Sequence, residues 1–182
     1  MDLIQPLQEL NDFYSVADPW NYQGTPDDTR RLAELRSLLP QRMFSSALDI
    51  GCGNGFVTVT LPASTIVGID VSEAAIGWAQ RRVASRSSAN SISFLTLSIF
   101  ELDQLPQAGF DLVCITGVLY PQYIGKAHAL VSLMVDHVLA PSGMLACCHI
   151  DDWYKSRLPY TLVDQSVYSY REYTHRLEVM VK

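Results

Sequence analysis

Basic residues are scarce in this chain: 13 Lys and Arg stand against 19 Asp and Glu, for a formal net charge of −6. Only Arg30-Arg31 and Arg81-Arg82 are adjacent. The clustered cationic face that nucleic acid demands is missing, which argues against RNA or DNA as a partner. Also missing is any apolar stretch near the ~20 residues of a membrane span. Met1-Asp2-Leu3-Ile4-Gln5-Pro6 has neither the basic start nor the apolar run of a secretory leader. The expectation is a cytoplasmic chain with no membrane partner. Cysteine is sparse as well. Cys52, Cys114, Cys147 and Cys148 match no zinc spacing, and the last two are too close for an ordinary bridge. Reduced thiols and no metal site follow.

What is present is apolar. Hydrophobic residues make up 48% and charged ones 18% of 182 residues, enough for one well-buried domain over 1–182. The first 41 residues stand apart. They hold a turn-rich patch, Asp18-Pro19-Trp20-Asn21-Tyr22-Gln23-Gly24-Thr25-Pro26. A helix follows, capped near Thr25 or Asp27, with Leu32, Leu35, Leu38 and Leu39 on one face and Pro40 ending it.

From Ser46 onward strand and helix signals alternate. Ala47–Ile50 reads as a strand ending at Gly51, and Phe56–Leu61 as a helix closed by Pro62. Thr65–Ile69 is a β-branched strand ending at Asp70. Ser72 caps a helix bearing Ala75, Ile76, Ala79 and Val83. Further strands are expected at Ile92–Leu97, Phe110–Ile115 and Gly143–Ile150, with a helix at Ala127–Leu139. The tail from Val167 reads as two extended pieces around Thr174-His175. Such alternation implies βαβ units and a mostly parallel sheet, whose ligands bind beyond the carboxyl ends of the strands.

Chemistry concentrates at those ends. Asp49-Ile50-Gly51-Cys52-Gly53-Asn54-Gly55 is a glycine-rich turn that lets the backbone approach a ligand closely. A dinucleotide fingerprint would put a small residue where Phe56 stands. Asp49, two positions before the first glycine, would repel a pyrophosphate but suit an ammonium or a sulfonium. Asp70, about 20 residues on, can accept both hydroxyls of a ribose.

In order and spacing, Asp49-x-Gly51-x-Gly53-x-Gly55, Val67-Gly68-Ile69-Asp70-Val71-Ser72, Phe110-Asp111-Leu112-Val113 and Leu139-Ala140-Pro141-Ser142-Gly143-Met144-Leu145 resemble the serial motifs of class I S-adenosylmethionine-dependent methyltransferases. The resemblance covers roughly residues 45–150, taken as the cofactor-binding core. It implies an α/β Rossmann-like fold with a sheet of about seven strands, the last antiparallel, and helices on both faces. Residues 1–41 would be a helical lid and 151–182 a helix and strand pair. By the same resemblance the cofactor is S-adenosyl-L-methionine, and S-adenosyl-L-homocysteine the product. The turn of Asp49, Gly51, Cys52 and Gly53 would seat its methionine part, and Asp70 with Val71 the ribose. Ser98, Ile99 and Phe100 would cover the adenine, and Thr116 and Gly117 would lie near the reacting methyl.

A narrower likeness, in Phe13-Tyr14-x-x-x-Asp18-Pro19-Trp20-x-Tyr22 and Gly117-Val118-Leu119-Tyr120, is to the nodulation protein S group, which N-methylates a sugar amine. It implies Trp20 and Tyr22 near the site, where an aromatic face against the sulfonium would contribute ~0.5–2 kcal/mol. His149 is the candidate general base. Tyr120, Tyr123, Asp151 and Trp153, joined by Asp152, Tyr154 and Tyr160, would surround a small acceptor that is sugar-like or bears an amine. The expected reaction is methyl transfer to a nitrogen or oxygen of that molecule. The rival readings are a non-catalytic module on the same fold and, less favoured, an NAD-dependent oxidoreductase, which would need a Tyr-x-x-x-Lys pair absent after the fourth strand.

Overall fold

The computed structural model describes residues 5–22, 24–85, 91–154 and 158–182. Gln23 of the turn-rich patch lies outside them. Seven strands form one sheet: β1 (Phe44–Ile50), β2 (Ala63–Asp70), β3 (Ser91–Thr96), β4 (Phe110–Thr116), β5 (Leu139–Ile150), β6 (Thr161–Tyr170) and β7 (Tyr173–Val181). Their spatial order is β3-β2-β1-β4-β5-β7-β6. The first five run parallel, and β7 slots between β5 and β6 antiparallel to both. The expected architecture is therefore present, with the last strand inserted before its predecessor.

The helices are α1 (Leu7–Phe13), α2 (Pro26–Leu38), α3 (Glu73–Ala84), α4 (Pro121–Ile124) and α5 (His128–Val138). Ser72 caps α3 by accepting the Ala75 N–H at 3.2 Å. Because strand side chains alternate, the central strands feed two apolar layers. Leu48, Ile50, Val113, Ile115, Leu145 and Cys147 pack with Val131 and Val135 of α5. Ala47, Leu112, Cys114, Ala146 and Cys148 face the other way, toward Leu35 of α2 and Tyr168 of β6. No described helix is long and apolar enough to cross a membrane.

Three local expectations give way. Phe56–Leu61 yields only a short 3-10 turn at Thr58–Thr60, because β-branched Val57, Thr58, Val59 and Thr60 disfavour a helix and β2 begins at Ala63. The described residues of 151–182 contain no helix. The tail hairpin turns at Arg171-Glu172 rather than Thr174-His175, with Arg171 at φ +52°. Its tyrosines and threonines carry β propensity throughout, so nothing in their pattern marks the turn.

His149 is the fourth correction. It shares the Cys147 side of β5, opposite to the side on which Cys148 meets His175. Its ring is 2% exposed, 3.7 Å from Cys147 Sγ, edge-on to Tyr154 and 4.0 Å from Glu178 Oε2. A one-residue step along a strand exchanges faces, which removes this ring from the crevice and from the role of base.

Burial, with Arg176 second, holds the His149 ring down to about 4, against about 6.5 when unfolded. The unfolded chain therefore takes up a proton between about pH 6.5 and 4 that the fold refuses. Its contribution to stability is intact above that window and is lost as pH falls through it. In His149→Gln this dependence vanishes. Urea melts should show the wild-type-minus-variant stability changing by up to ~1.4 kcal/mol per pH unit across the window. A difference that stays flat with pH would show the ring is not held neutral.

Candidate functional site

The carboxyl ends of the parallel strands open into one cavity of about 630 Å³, covered by α1 and the segment leading to α2. At one end lies the turn after β1. Gly51 sits at φ +72° and Gly53 at φ +53°. A Cβ on Gly51 would fall 2.1 Å from Val118 Cγ2, and one on Gly53 would fall 2.8 Å from Tyr14 Oη. Both glycines thus serve conformation and close packing together.

Asp70, at the tip of β2, accepts the Gly53 N–H and the Ser72 N–H, each at 2.9 Å. Burial pushes its carboxyl upward while those bonds pull back. Asp70 thereby ties the glycine turn to α3 and still lines the cavity. At the tip of β3, Ser98 caps a 3-10 turn by accepting the Phe100 N–H at 3.2 Å. Leu97, Ile99 and Phe100 supply apolar walls beside it. Thr116 and Gly117 follow β4, and the Gly117 N–H bonds Cys148 O at 3.0 Å.

Asp49 lies beneath this floor. It is fully buried and lines no part of the cavity. Its Oδ2 accepts the Thr58 hydroxyl at 2.6 Å, and Oδ1 has no partner among the described residues. Burial lifts its carboxyl to about 7, against the pull of Thr58 and Arg31. Period two explains the placement: Asp49 shares the face of Ala47, not that of Ile50. Cys52 and Gly53 shape the turn without lining the cavity.

The N-terminal segment is strapped over the crevice by hydrogen bonds. The Asn54 amide donates to Ala17 O at 2.9 Å, Ser72 Oγ to Asn11 Oδ1 at 2.7 Å, and the Trp78 indole to Tyr14 O at 3.0 Å. Trp20 leans on Phe13 with its indole N–H on Tyr14 Oη, and Tyr22 stacks on Phe56 at 5.1 Å. Both line the cavity. Phe56, which spoils a dinucleotide fingerprint, is thus the platform for Tyr22. Leu7 and Leu10 of α1 also line the cavity, and α1 fully buries none of its residues.

The far end is aromatic. Tyr120 accepts the Ile150 N–H at 2.9 Å and meets Trp153 edge-on at 5.3 Å, and Trp153 meets Tyr173 likewise. Tyr123 lines the same end. Asp151 does not: it turns aside to an ion pair with Arg176 at 2.6 Å. Tyr160 and Tyr154 belong to a separate small pocket with Cys147 and Glu178.

Sequence reasoning missed one whole wall. Asp28 of α2 is fully buried and takes four donors: the Tyr170 hydroxyl at 2.6 Å, the Thr25 hydroxyl at 2.5 Å, and Nη2 of Arg31 and of Arg171 at 3.1 and 3.2 Å. Arg31, Tyr170, Arg171 and His175 line the cavity here, with His175 stacked on Tyr170 at 4.2 Å. The separation of 142 residues between Asp28 and Tyr170 hides this cluster from any reading of local pattern. The only signal in the sequence is a pair of acids, Asp27 and Asp28, inside an amphipathic helix.

Comparison with known proteins bears on this geometry. The family model described as a methyltransferase domain matches residues 45–179. Nodulation protein S from Rhizobium tropici is 32% identical over 145 residues, 76% of this chain and 57% of that protein. A trans-aconitate 2-methyltransferase from Deinococcus radiodurans is 27% identical over 117 residues, 62% of this chain and 41% of that protein. The chain thus spans about half the length of these two relatives. The crystal structure of the N-methyltransferase NodS from Bradyrhizobium japonicum, in complex with S-adenosyl-L-homocysteine, superposes with a TM-score of 0.78 at 24% identity, covering 97% of each chain. That likeness extends the shared fold to nearly the whole chain. With the family match spanning most of its residues, this chain belongs to the methyltransferase domain family.

Proposed function

We propose that this chain transfers a methyl group from S-adenosylmethionine to a nitrogen or oxygen of a small acceptor molecule. The observation that carries the proposal is the single cavity that starts at Gly51 and Asp70 and continues to Tyr120, Tyr123 and Trp153. A cofactor and an acceptor can meet only in a space that is continuous between them. Residues 45–150 form the cofactor-binding core in this reading, and residues 1–41 the lid.

The residues fit the cofactor. Asp70 keeps lone-pair capacity for a ribose hydroxyl beyond its backbone bonds to Gly53, Val71 and Ser72. Ile99 and Phe100 suit a purine face. The glycine turn exposes backbone toward the cavity at Gly51, with Asp49 buried beneath it. When bound, S-adenosylmethionine supplies both the electrophilic methyl and its own leaving group, so alignment is the main demand on the protein. Thr116 and Gly117 border the space between the two ends. Trp20, Leu7 and Leu10 cover it, and a filled cavity would shield these apolar side chains from water. Neither His149 nor Asp151 takes part. Among residues lining the cavity, His175 is the imidazole; burial first, and Arg31 next, hold it down to about 4, so it is neutral at physiological pH.

The relatives include an N-methyltransferase and an enzyme named for the acid trans-aconitate. Sugar-like or amine-bearing acceptors therefore stand beside organic acids within one reaction type. A non-catalytic module would bind the cofactor without turnover, and a radiolabelled methyl-transfer assay separates the two.

Thermal shift is the direct test. S-adenosylmethionine and S-adenosylhomocysteine should stabilise the protein, by ~2.7 kcal/mol at a hundred times Kd, while NAD should not. Stabilisation by NAD alone would overturn the proposal. Calorimetry should show Asp70→Ala weakening S-adenosylhomocysteine on the order of tenfold or more, as loss of a charge-assisted bond implies. Gly53→Val should abolish binding, since its Cβ would press on Tyr14 Oη from a backbone at φ +53°. Unchanged affinity in both variants would move the site elsewhere.

A further inference from the structure

The sheet ends at β6, and that border is open. Apart from β7, no backbone group among the described residues bonds it. The strand is ten residues long, against six for β3 at the opposite border. Edge strands of stable monomers are commonly blunted by lysine, proline or short length. Thr161–Tyr170 has no basic residue, no proline and no glycine, and Asp164 is its one charge. Val163 and Val167 are 57% and 54% exposed there.

Half of the backbone polar groups of β6 face this opening. Tyr170 pairs with Tyr173 across a two-residue turn, so it exchanges both of its backbone bonds with β7. Alternation gives Tyr168, Ser166 and Asp164 the same role, and turns the N–H and C=O of Ser169, Val167 and Gln165 outward. The neighbouring strand obeys the same alternation: Thr174, opposite Ser169, accepts the Asp151 N–H at 2.9 Å on the side away from β6. Regular pairing runs from the bulge at Val163 to the turn at Arg171, and Val167 is the midpoint of that run.

We propose that β6 pairs antiparallel with β6 of a second copy about a twofold axis at Val167, continuing the sheet across a dimer. A twofold strand pair sets each residue opposite the one equally far beyond the axis. Val167 then meets Val167, Gln165 meets Ser169, Ser166 meets Tyr168, and Asp164 meets Tyr170. The Val167 pair exchanges two hydrogen bonds, and each Ser169 N–H reaches Gln165 O of the other copy. The Gln165 N–H is already held by Asp164 Oδ1 at 2.8 Å and joins no bond between chains. Charge agrees with this register. Asp164 of each copy lies opposite the Tyr170-Arg171 end of the other, so the acid of one chain comes beside the cation of its mate. A register centred on Asp164 would set two carboxylates face to face, which is unfavourable. This self-complementarity selects a second copy over a strand from another protein.

Sedimentation velocity over a concentration series tests the pairing. Wild type should pass from monomer to dimer. Val167→Pro should stay monomeric and folded, because the N–H it deletes points away from β7. Val167→Lys, which puts two like charges at the axis, should be monomeric as well. Thermal melts confirm that both variants fold. Cysteine cross-linking then reads the register. Hydrogen-bonded antiparallel partners lie ~5.5 Å apart at Cα, whereas Gln165 would stand about 13 Å from its own copy across the axis. With a short thiol-reactive cross-linker, Val167→Cys should give a covalent dimer. Gln165→Cys alone should not, and its mixture with Ser169→Cys should. A wild type that stays monomeric throughout the series overturns the proposal, whether the edge is bare or serves another protein. A dimer that survives both Val167→Pro and Val167→Lys, or one in which Val167→Cys fails to cross-link, overturns it equally.

Discussion

Asp28 has no exposed surface, yet it joins three pieces of chain that no backbone hydrogen bond would bring together. Through it the second helix, the turn of the last hairpin and, by way of Arg171 and Trp20 O, the covering segment become one body. Removing one partner of such a buried group costs about 3–5 kcal/mol, because the others are left unsatisfied. The cavity exists in its observed shape only while that carboxylate is filled. Loss of Tyr170 or Arg31 would loosen the wall and the covering segment together.

Two walls of the cavity have different origins. One is built from strand tips, where the parallel sheet fixes the backbone and the glycine turn, Asp70 and Ser98 follow from it. The other is assembled from the first 31 residues and the final hairpin, joined by the side chains of Tyr170 and Arg171. A sheet of this kind can therefore keep its strand-tip wall while the other wall is rebuilt. That division matches relatives whose names point to different acceptors on one family of domains.

Legibility in the sequence follows the same division. The central strands are readable because both faces of each are covered, so Leu48, Ile50, Val113 and Ile115 come in unbroken apolar runs. Asp70 and Ser72 are readable because a strand tip and a helix cap are local events. The sidedness of a strand end is harder to read: Asp49 and His149 each sit one step from the crevice-facing position, and a single residue of register decides whether a side chain meets ligand or core. The hairpin turn escapes notice because Tyr170, Arg171 and Tyr173 lack the glycine or asparagine that normally marks one. Asp28 and Arg31 lie one turn apart on α2, but 143 residues separate Asp28 from Arg171, and only tertiary packing reveals that they touch.

The conformation of Arg171 carries a cost. It occupies the first central position of a two-residue hairpin with positive φ, a place where glycine is at ease and a side chain forfeits about 1–2 kcal/mol. A glycine there would relax the loop but strip the wall of a cation and cut the tether to Trp20. Backbone comfort and charge placement are thus in competition at one residue. Chains of this build that trade the arginine for glycine should gain a sturdier hairpin and forfeit the clamp that fastens it to Asp28 and to Trp20 O.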